Sequence, residues 1–256
     1  MDLNLQGKKA LVTGGTRGIG QAIAETLADE GCDIAICARN SEEVAASVAS
    51  LKAKGVNAVG DSVDVTDEEA MKIFVTASAE RLGGLDVLVS NVGAMAIGSD
   101  REAWLKNLQM DIFGLLSLVE AGESLLEQAA VEHGDAAIVA IGSTASVAAL
   151  NASSYGPVKG ALVHYIKGLA KQYADKKIRA NVVSPGMVYF EGGVWNRVEQ
   201  NKPEVFKSQL ARNPMGRMAC PQDIANAVAF LASPRSSFTT GINMIVDGAL
   251  TDRVNF

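Results

Sequence analysis

Histidine and cysteine are scarce: only His133, His164, Cys32, Cys37 and Cys220 occur among 256 residues. The two histidines stand far from any cysteine pattern, so a zinc site lacks material and no metal is expected. An odd, scattered set of cysteines provides no disulfide framework and suits a reducing compartment. Cys32 and Cys37 flank the apolar run DIAI and read as packing residues. Long apolar runs are missing too. None approaches the roughly 20 residues needed to span a bilayer, and the leading MDLNLQGKKALV lacks the basic-then-apolar layout of a signal peptide. The expectation is a cytoplasmic protein with no membrane attachment. Positive charge is also short, with 23 Lys and Arg against 29 Asp and Glu and a net charge of −6. That balance offers no field to gather nucleic acid, so a small molecule is the expected partner.

What is present is apolar content, 48% of the chain, enough to build one domain over residues 1–256. Short β-branched runs alternate with longer amphipathic stretches from end to end. Strands are predicted at 9–13, 33–37, 57–63, 85–90, 136–141, 178–184 and 242–248, with helical spacing at 18–30, 41–54, 67–82, 101–130, 154–175 and 221–232. This alternation predicts an α/β fold, a doubly wound parallel sheet of seven strands with helices on both faces. Ser41 with Glu42 and Glu43, and Asp67 with Glu68 and Glu69, read as helix starts. Residues 187–216 break the rhythm with Met187, Tyr189, Phe190, Val194, Trp195, Phe206 and Met215, and read either as a substrate lid or as a helix pair packed on the core.

Directly after the first strand comes Thr13-Gly14-Gly15-Thr16-Arg17-Gly18-Ile19-Gly20, which runs into a helix. Glycines so placed permit a tight turn and let backbone approach a pyrophosphate at the helix N-terminus, the arrangement of a Rossmann-type dinucleotide site. The second strand ends in Cys37-Ala38-Arg39-Asn40, where no carboxylate awaits a ribose 2′-hydroxyl. Arg39 and Arg17 can instead clamp a 2′-phosphate, which favours NADP(H) over NAD(H). Asp64-Val65 after the third strand can meet the adenine, and Asn91-Val92-Gly93 ends the fourth strand at the same crevice.

Tyr155 and Lys159 stand one helical turn apart, with Pro157 between them requiring that Tyr155 lie in the first turn. A phenol works as acid or base when its phenolate is stabilised, and a neighbouring ammonium does that. Taken in order, the glycine turn, Asp64, Asn91-Val92-Gly93, Ser143, Tyr155 with Lys159, Pro185-Gly186, Pro221-Gln222-Asp223-Ile224-Ala225 and Thr240-Gly241 resemble the short-chain dehydrogenase/reductase family over nearly the whole chain.

The resemblance implies interconversion of a ketone and a secondary alcohol by hydride transfer. It assigns proton exchange with the carbonyl oxygen to Tyr155, and it has Lys159 hold the nicotinamide ribose. Ser143 would bind the substrate oxygen, with Ser146 a neighbouring contender, while Pro185, Gly186 and Val188 would back the nicotinamide. It also implies a homotetramer. Leu115, Leu116, Leu118 and Val119, with Leu162, Ile166 and Leu169, form an apolar seam that reads as core or as subunit interface.

Two positions depart from the pattern. Asp111 stands where the family usually has an asparagine supporting proton relay, and it is retained as a relay member or a purely structural residue. Phe190 replaces a threonine that commonly contacts the nicotinamide carboxamide. The Ser143 to Tyr155 interval is also one residue short of the usual. For the substrate, the stretch 120–135 carries Glu120, Glu123, Glu127, Glu132 and Asp135 without a Lys or Arg. An acidic acyl carrier needs a basic landing patch, so a free, apolar cyclic or aromatic carbonyl compound is expected ahead of a 3-oxoacyl-carrier substrate. A cofactor-binding regulator without catalysis is the reading from another class.

Overall fold

The computed structural model describes residues 2–149 and 151–254. Seven strands, β1 (Lys9–Thr13), β2 (Asp33–Ala38), β3 (Ala58–Ser62), β4 (Val87–Ser90), β5 (Ala136–Ile141), β6 (Ile178–Pro185) and β7 (Asn243–Val246), form one sheet in the order β3-β2-β1-β4-β5-β6-β7. Every pairing is parallel. β1, β4, β5 and β6 are almost wholly buried, as strands covered on both faces must be. The order reverses between β1 and β4, and the crevice at their carboxyl ends is where such sheets take ligands.

Helices α1 (Gly18–Asp29), α2 (Ser41–Ala53) and α9 (Pro221–Ala232) cover one face, packing Ile23, Leu27, Val44, Leu51, Ile224 and Val228 on the sheet. On the other face α3 (Glu68–Leu82), α5 (Gly114–His133) and α6 (Tyr155–Gln172) contribute Met71, Phe74, Leu115, Leu118, Leu162 and Ile166. The seam open to two readings is therefore core for six of its seven residues: Leu115, Leu118, Val119, Leu162, Ile166 and Leu169 are buried, and Leu116 is half-buried.

Caps follow local chemistry. Asp67 accepts from the Ala70 N–H as expected, but α2 is capped one residue earlier than expected, by Asn40 accepting from the Glu42 and Glu43 N–H groups. The stretch 101–130 is not one helix. It divides into α4 (Arg101–Asn107), a π-helical turn (Leu108–Phe113) and α5. Residues 187–216 hold two short helices, α7 (Val194–Asn201) and α8 (Pro203–Leu210). Far from the crevice, buried Arg179 of β6 pairs with Asp135 and donates to the carbonyls of Leu231, Ala232 and Ser233, tying the end of α9 to the sheet.

Candidate active site

The glycine turn closes over the end of β2, where the Gly14 and Gly15 N–H groups donate to the Cys37 carbonyl at 2.8 and 3.3 Å. Gly18 adopts φ +55°, a left-handed conformation that favours glycine. A Cβ on Gly20 would come within 2.1 Å of the Gly14 carbonyl oxygen, so helix and turn touch without room for a side chain. Arg17 at the α1 N-cap makes no side-chain cap bond and the first turn holds no acid, which leaves the leading N–H groups free for an anion. That open helix end fits a dinucleotide pyrophosphate. Asn91 is committed to scaffolding: its Nδ2 donates to the Thr13 and Gly14 carbonyls at 3.0 and 3.3 Å, binding the end of β4 to the turn.

At the adenosine end, Arg17 and Arg39 are exposed. Asp64 accepts from both the backbone N–H and the hydroxyl of Thr66, at 3.0 and 2.8 Å. These bonds, with the Arg39 charge adding to them, hold its carboxyl below the usual carboxylate range. Sequence reading missed Glu43. Its Oε2 accepts from the Thr16 hydroxyl at 3.2 Å, and its Oε1 accepts from Asn40 Nδ2 at 3.3 Å. The lack of a carboxylate noted after β2 thus holds for that segment alone, because the first turn of α2 returns one to the glycine turn. Cys37 lies beneath, its thiol pushed up to about 12 by burial, and is packing as expected.

Tyr155 opens α6, so Pro157 sits in the first turn where its missing N–H costs nothing. Buried Lys159 donates from Nζ to the Ile141 carbonyl at 2.8 Å, and Nζ lies 5.9 Å from the Tyr155 ring centroid. Ser143 follows β5, accepting from the Ala145 N–H at 3.1 Å, while the Ser146 hydroxyl donates to the Ser143 carbonyl at 2.7 Å. Ser143, Tyr155 and Lys159 share one cavity of about 220 Å3 with Ile19, Gly93, Pro185, Gly186 and Val188; Ser146 does not line it. Asp111 is fully buried behind Lys159, with Oδ1 2.8 Å from Nζ and Oδ2 accepting from the Ala94 N–H at 2.9 Å. A second groove of about 300 Å3 runs between α2 and the edge strand β3, past Val48, Lys52 and Arg81, away from Tyr155.

Met95, Phe190, Val194 and Trp195 supply the apolar wall of the Tyr155 cavity. Phe190 lies over the glycine turn: a Cβ on Gly18 would meet its ring at 2.6 Å. Tyr189 points elsewhere, donating to Glu199 at 2.5 Å, accepting from Asn196 at 3.0 Å and meeting Phe206 edge-on at 5.8 Å between centroids. The Glu199 bond raises its phenol above the ordinary tyrosine value. Tyr189 and Phe206 therefore brace the segment, while Phe190 and Trp195 face the cavity. Among the described residues, no group of three or more His, Cys, Asp and Glu is placed to hold a metal ion, and no helix is long and apolar enough to cross a membrane.

Fold and site together define an α/β protein with a dinucleotide-type turn and a Ser–Tyr–Lys cluster at the switch point of its sheet. Residues 14–251 match a family model described as enoyl-(acyl carrier protein) reductase. The chain belongs to the short-chain dehydrogenase/reductase family and is an oxidoreductase of that family. It is 33% identical to isoepoxydon dehydrogenase of Aspergillus clavatus over 252 residues, covering 96% of each chain. Its fold matches L-sorbose reductase of Gluconobacter frateurii, solved with NADPH and L-sorbose, at a TM-score of 0.90 and 28% identity, over 99% of this chain and 100% of that one. A 7α-hydroxysteroid dehydrogenase solved with NADH and 7-oxo glycochenodeoxycholic acid matches at 0.89 and 27% identity, over 99% and 98%.

Proposed function

We propose that the chain interconverts a ketone and a secondary alcohol using NADP(H), with Tyr155 as general acid and base. The observation that carries this reading is the convergence of Ser143, Tyr155 and Lys159 on one cavity walled by Ile19, Pro185, Gly186 and Val188. The open N–H groups at the start of α1 would hold the cofactor's pyrophosphate, and the bound cofactor would supply or receive the hydride. Ser143 orients the substrate oxygen and supports its developing charge. Tyr155 gives its proton to that oxygen during reduction and takes it back during oxidation, and Lys159 stabilises the phenolate. Asp64, Val65, Asn91 and Gly93 complete the cofactor crevice, Asn91 by holding the turn. Arg17 and Arg39 favour the 2′-phosphate of NADP(H), against the opposing charge of Glu43.

The apolar wall of Met95, Phe190, Val194 and Trp195 supports a free cyclic or aromatic carbonyl compound, with 187–216 as the substrate lid of a single domain. The case against an acyl carrier is weaker than the run of acids alone implied, because Lys176 pairs with both Glu123 and Glu127. Cytoplasmic location and a homotetramer complete the proposal. The test is Tyr155→Phe: ketone-dependent NADPH oxidation falls by about a thousandfold or more while NADPH binding, followed by fluorescence, stays within about twofold. Undiminished turnover would refute the catalytic assignment. A wild-type protein that binds NADPH but turns over no member of a panel of cyclic, aryl and acyl ketones would favour a binding regulator instead.

A further inference from the structure

The mechanism above uses the Lys159 ammonium but leaves its partner idle. That partner is unusual in its setting: the Asp111 side chain is fully buried, and its Oδ1 lies 2.8 Å from Nζ. The contact is close for an ion pair, yet it is off the line of a well-directed hydrogen bond, so Oδ1 keeps an open acceptor position. The local fold is built around this contact. The π-helical turn 108–113 carries Asp111 toward α6, and Gly93 makes room, since a Cβ there would stand 2.8 Å from Oδ1 and 3.3 Å from Nζ. The other oxygen, Oδ2, holds the Ala94 N–H.

We infer that Asp111 is a positioning residue that cancels the Lys159 charge and thereby sets the pH range in which Tyr155 works. From α6 the titratable groups facing the pair are Lys159 and, one turn away, Tyr155. The loop after β4 offers it the backbone of Gly93 and Ala94, β5 offers the Ile141 carbonyl, and the neighbouring Asn107 is neutral and bonded to Ala96 and Ser154. No other ion pair reaches Asp111 or Lys159 among the described residues. The phenol therefore faces a compensated pair instead of a lone cation. In a buried, weakly screened setting that difference matters at 5.9 Å, because removing the carboxylate leaves the full ammonium to stabilise the phenolate.

This inference rests on the proposed role of Tyr155, and two readouts keep the two separable. In the first, the pH profile of kcat for alcohol oxidation is compared between wild type, Asp111→Asn and Asp111→Ala. The half-point of the acid limb moves to lower pH by about one pH unit in both variants. If Asp111 serves only to pin the loop through Ala94, KM and thermal stability change and the half-point stays; that outcome overturns the inference. In the second, the ultraviolet difference absorbance of tyrosinate is followed against pH, with the Tyr155→Phe protein subtracted in each background. The same acidward displacement is expected without any turnover, so a wild type that lacks activity refutes the function while this titration still decides the role of Asp111. Loss of folding in both Asp111 variants also overturns it, making the carboxylate a folding element.

Discussion

Glu43 sets a negative charge beside a turn whose two arginines are otherwise suited to a phosphate, with its Oε2 3.2 Å from the Thr16 hydroxyl. A 2′-phosphate entering near Arg39 meets this carboxylate and its attraction is partly offset. Glu43→Gln is expected to raise kcat/KM for NADP+ about threefold to tenfold, corresponding to roughly 1 kcal/mol for an exposed charge, with little change for NAD+. Steady-state kinetics with each cofactor measure that ratio, and an unchanged ratio would remove Glu43 from cofactor choice. Glu43 was illegible as a site residue because its sequence role, an acid in the first turn of a helix, is true and sufficient by itself. Tyr155 and Lys159 stand out in the sequence by their one-turn spacing and Ser143 only through the family resemblance, and the three line one cavity. The Asp111–Lys159 contact joins residues 48 positions apart and depends on a helical register that side-chain pattern does not encode.

An apolar period near 3.6 runs through 101–130, yet the chain inserts a π-helical turn at 108–113, which adds one residue to a turn without erasing the amphipathic pattern. Within that turn Asp111 contacts Lys159 and the Ala94 N–H. The start of α9 is a simpler case. Asp223 accepts from the Cys220 N–H at 2.8 Å and from both Arg217 terminal nitrogens at 2.6 and 2.9 Å, and chiefly the Arg217 bonds hold its carboxyl well below the usual carboxylate range. A folded value below the unfolded one means that the stabilisation is present above the unfolded value near 3.9 and fades as pH falls through the folded one. Arg217 is half exposed, which limits the gain to about 1 kcal/mol. Asp223→Ala should therefore lower Tm by about 2–4 °C at neutral pH, with the gap narrowing below about pH 4, as scanning calorimetry at both pH values would record. A gap that widens in acid contradicts this account.

On the scale of the whole molecule, strand number and the placement of helices on both faces followed from alternating patterns, because a parallel sheet must be covered twice. The apolar seam was harder, since buried core and buried interface look alike in one sequence. Six of its seven residues lie in the chain's own core and are not available to a subunit interface. Trp104, Leu105 and Phe113 remain 38, 50 and 55% exposed on α4 and the π-helical turn. Exposed large apolar side chains on two adjoining elements make this surface the one to test for contact with a second copy of the chain. Sedimentation velocity should then find wild type as a tetramer and Leu105→Glu with Phe113→Glu as a smaller species, with the circular dichroism spectrum kept. Both substitutions sit outside the core, so a loss of helix would mark damage to the fold, and a wild-type monomer would end the case for this surface. The π-helical turn carries Asp111 inward and Phe113 outward, so association at this surface should also tighten the support of Lys159. The dissociated variant is therefore expected to lose kcat more than it raises KM.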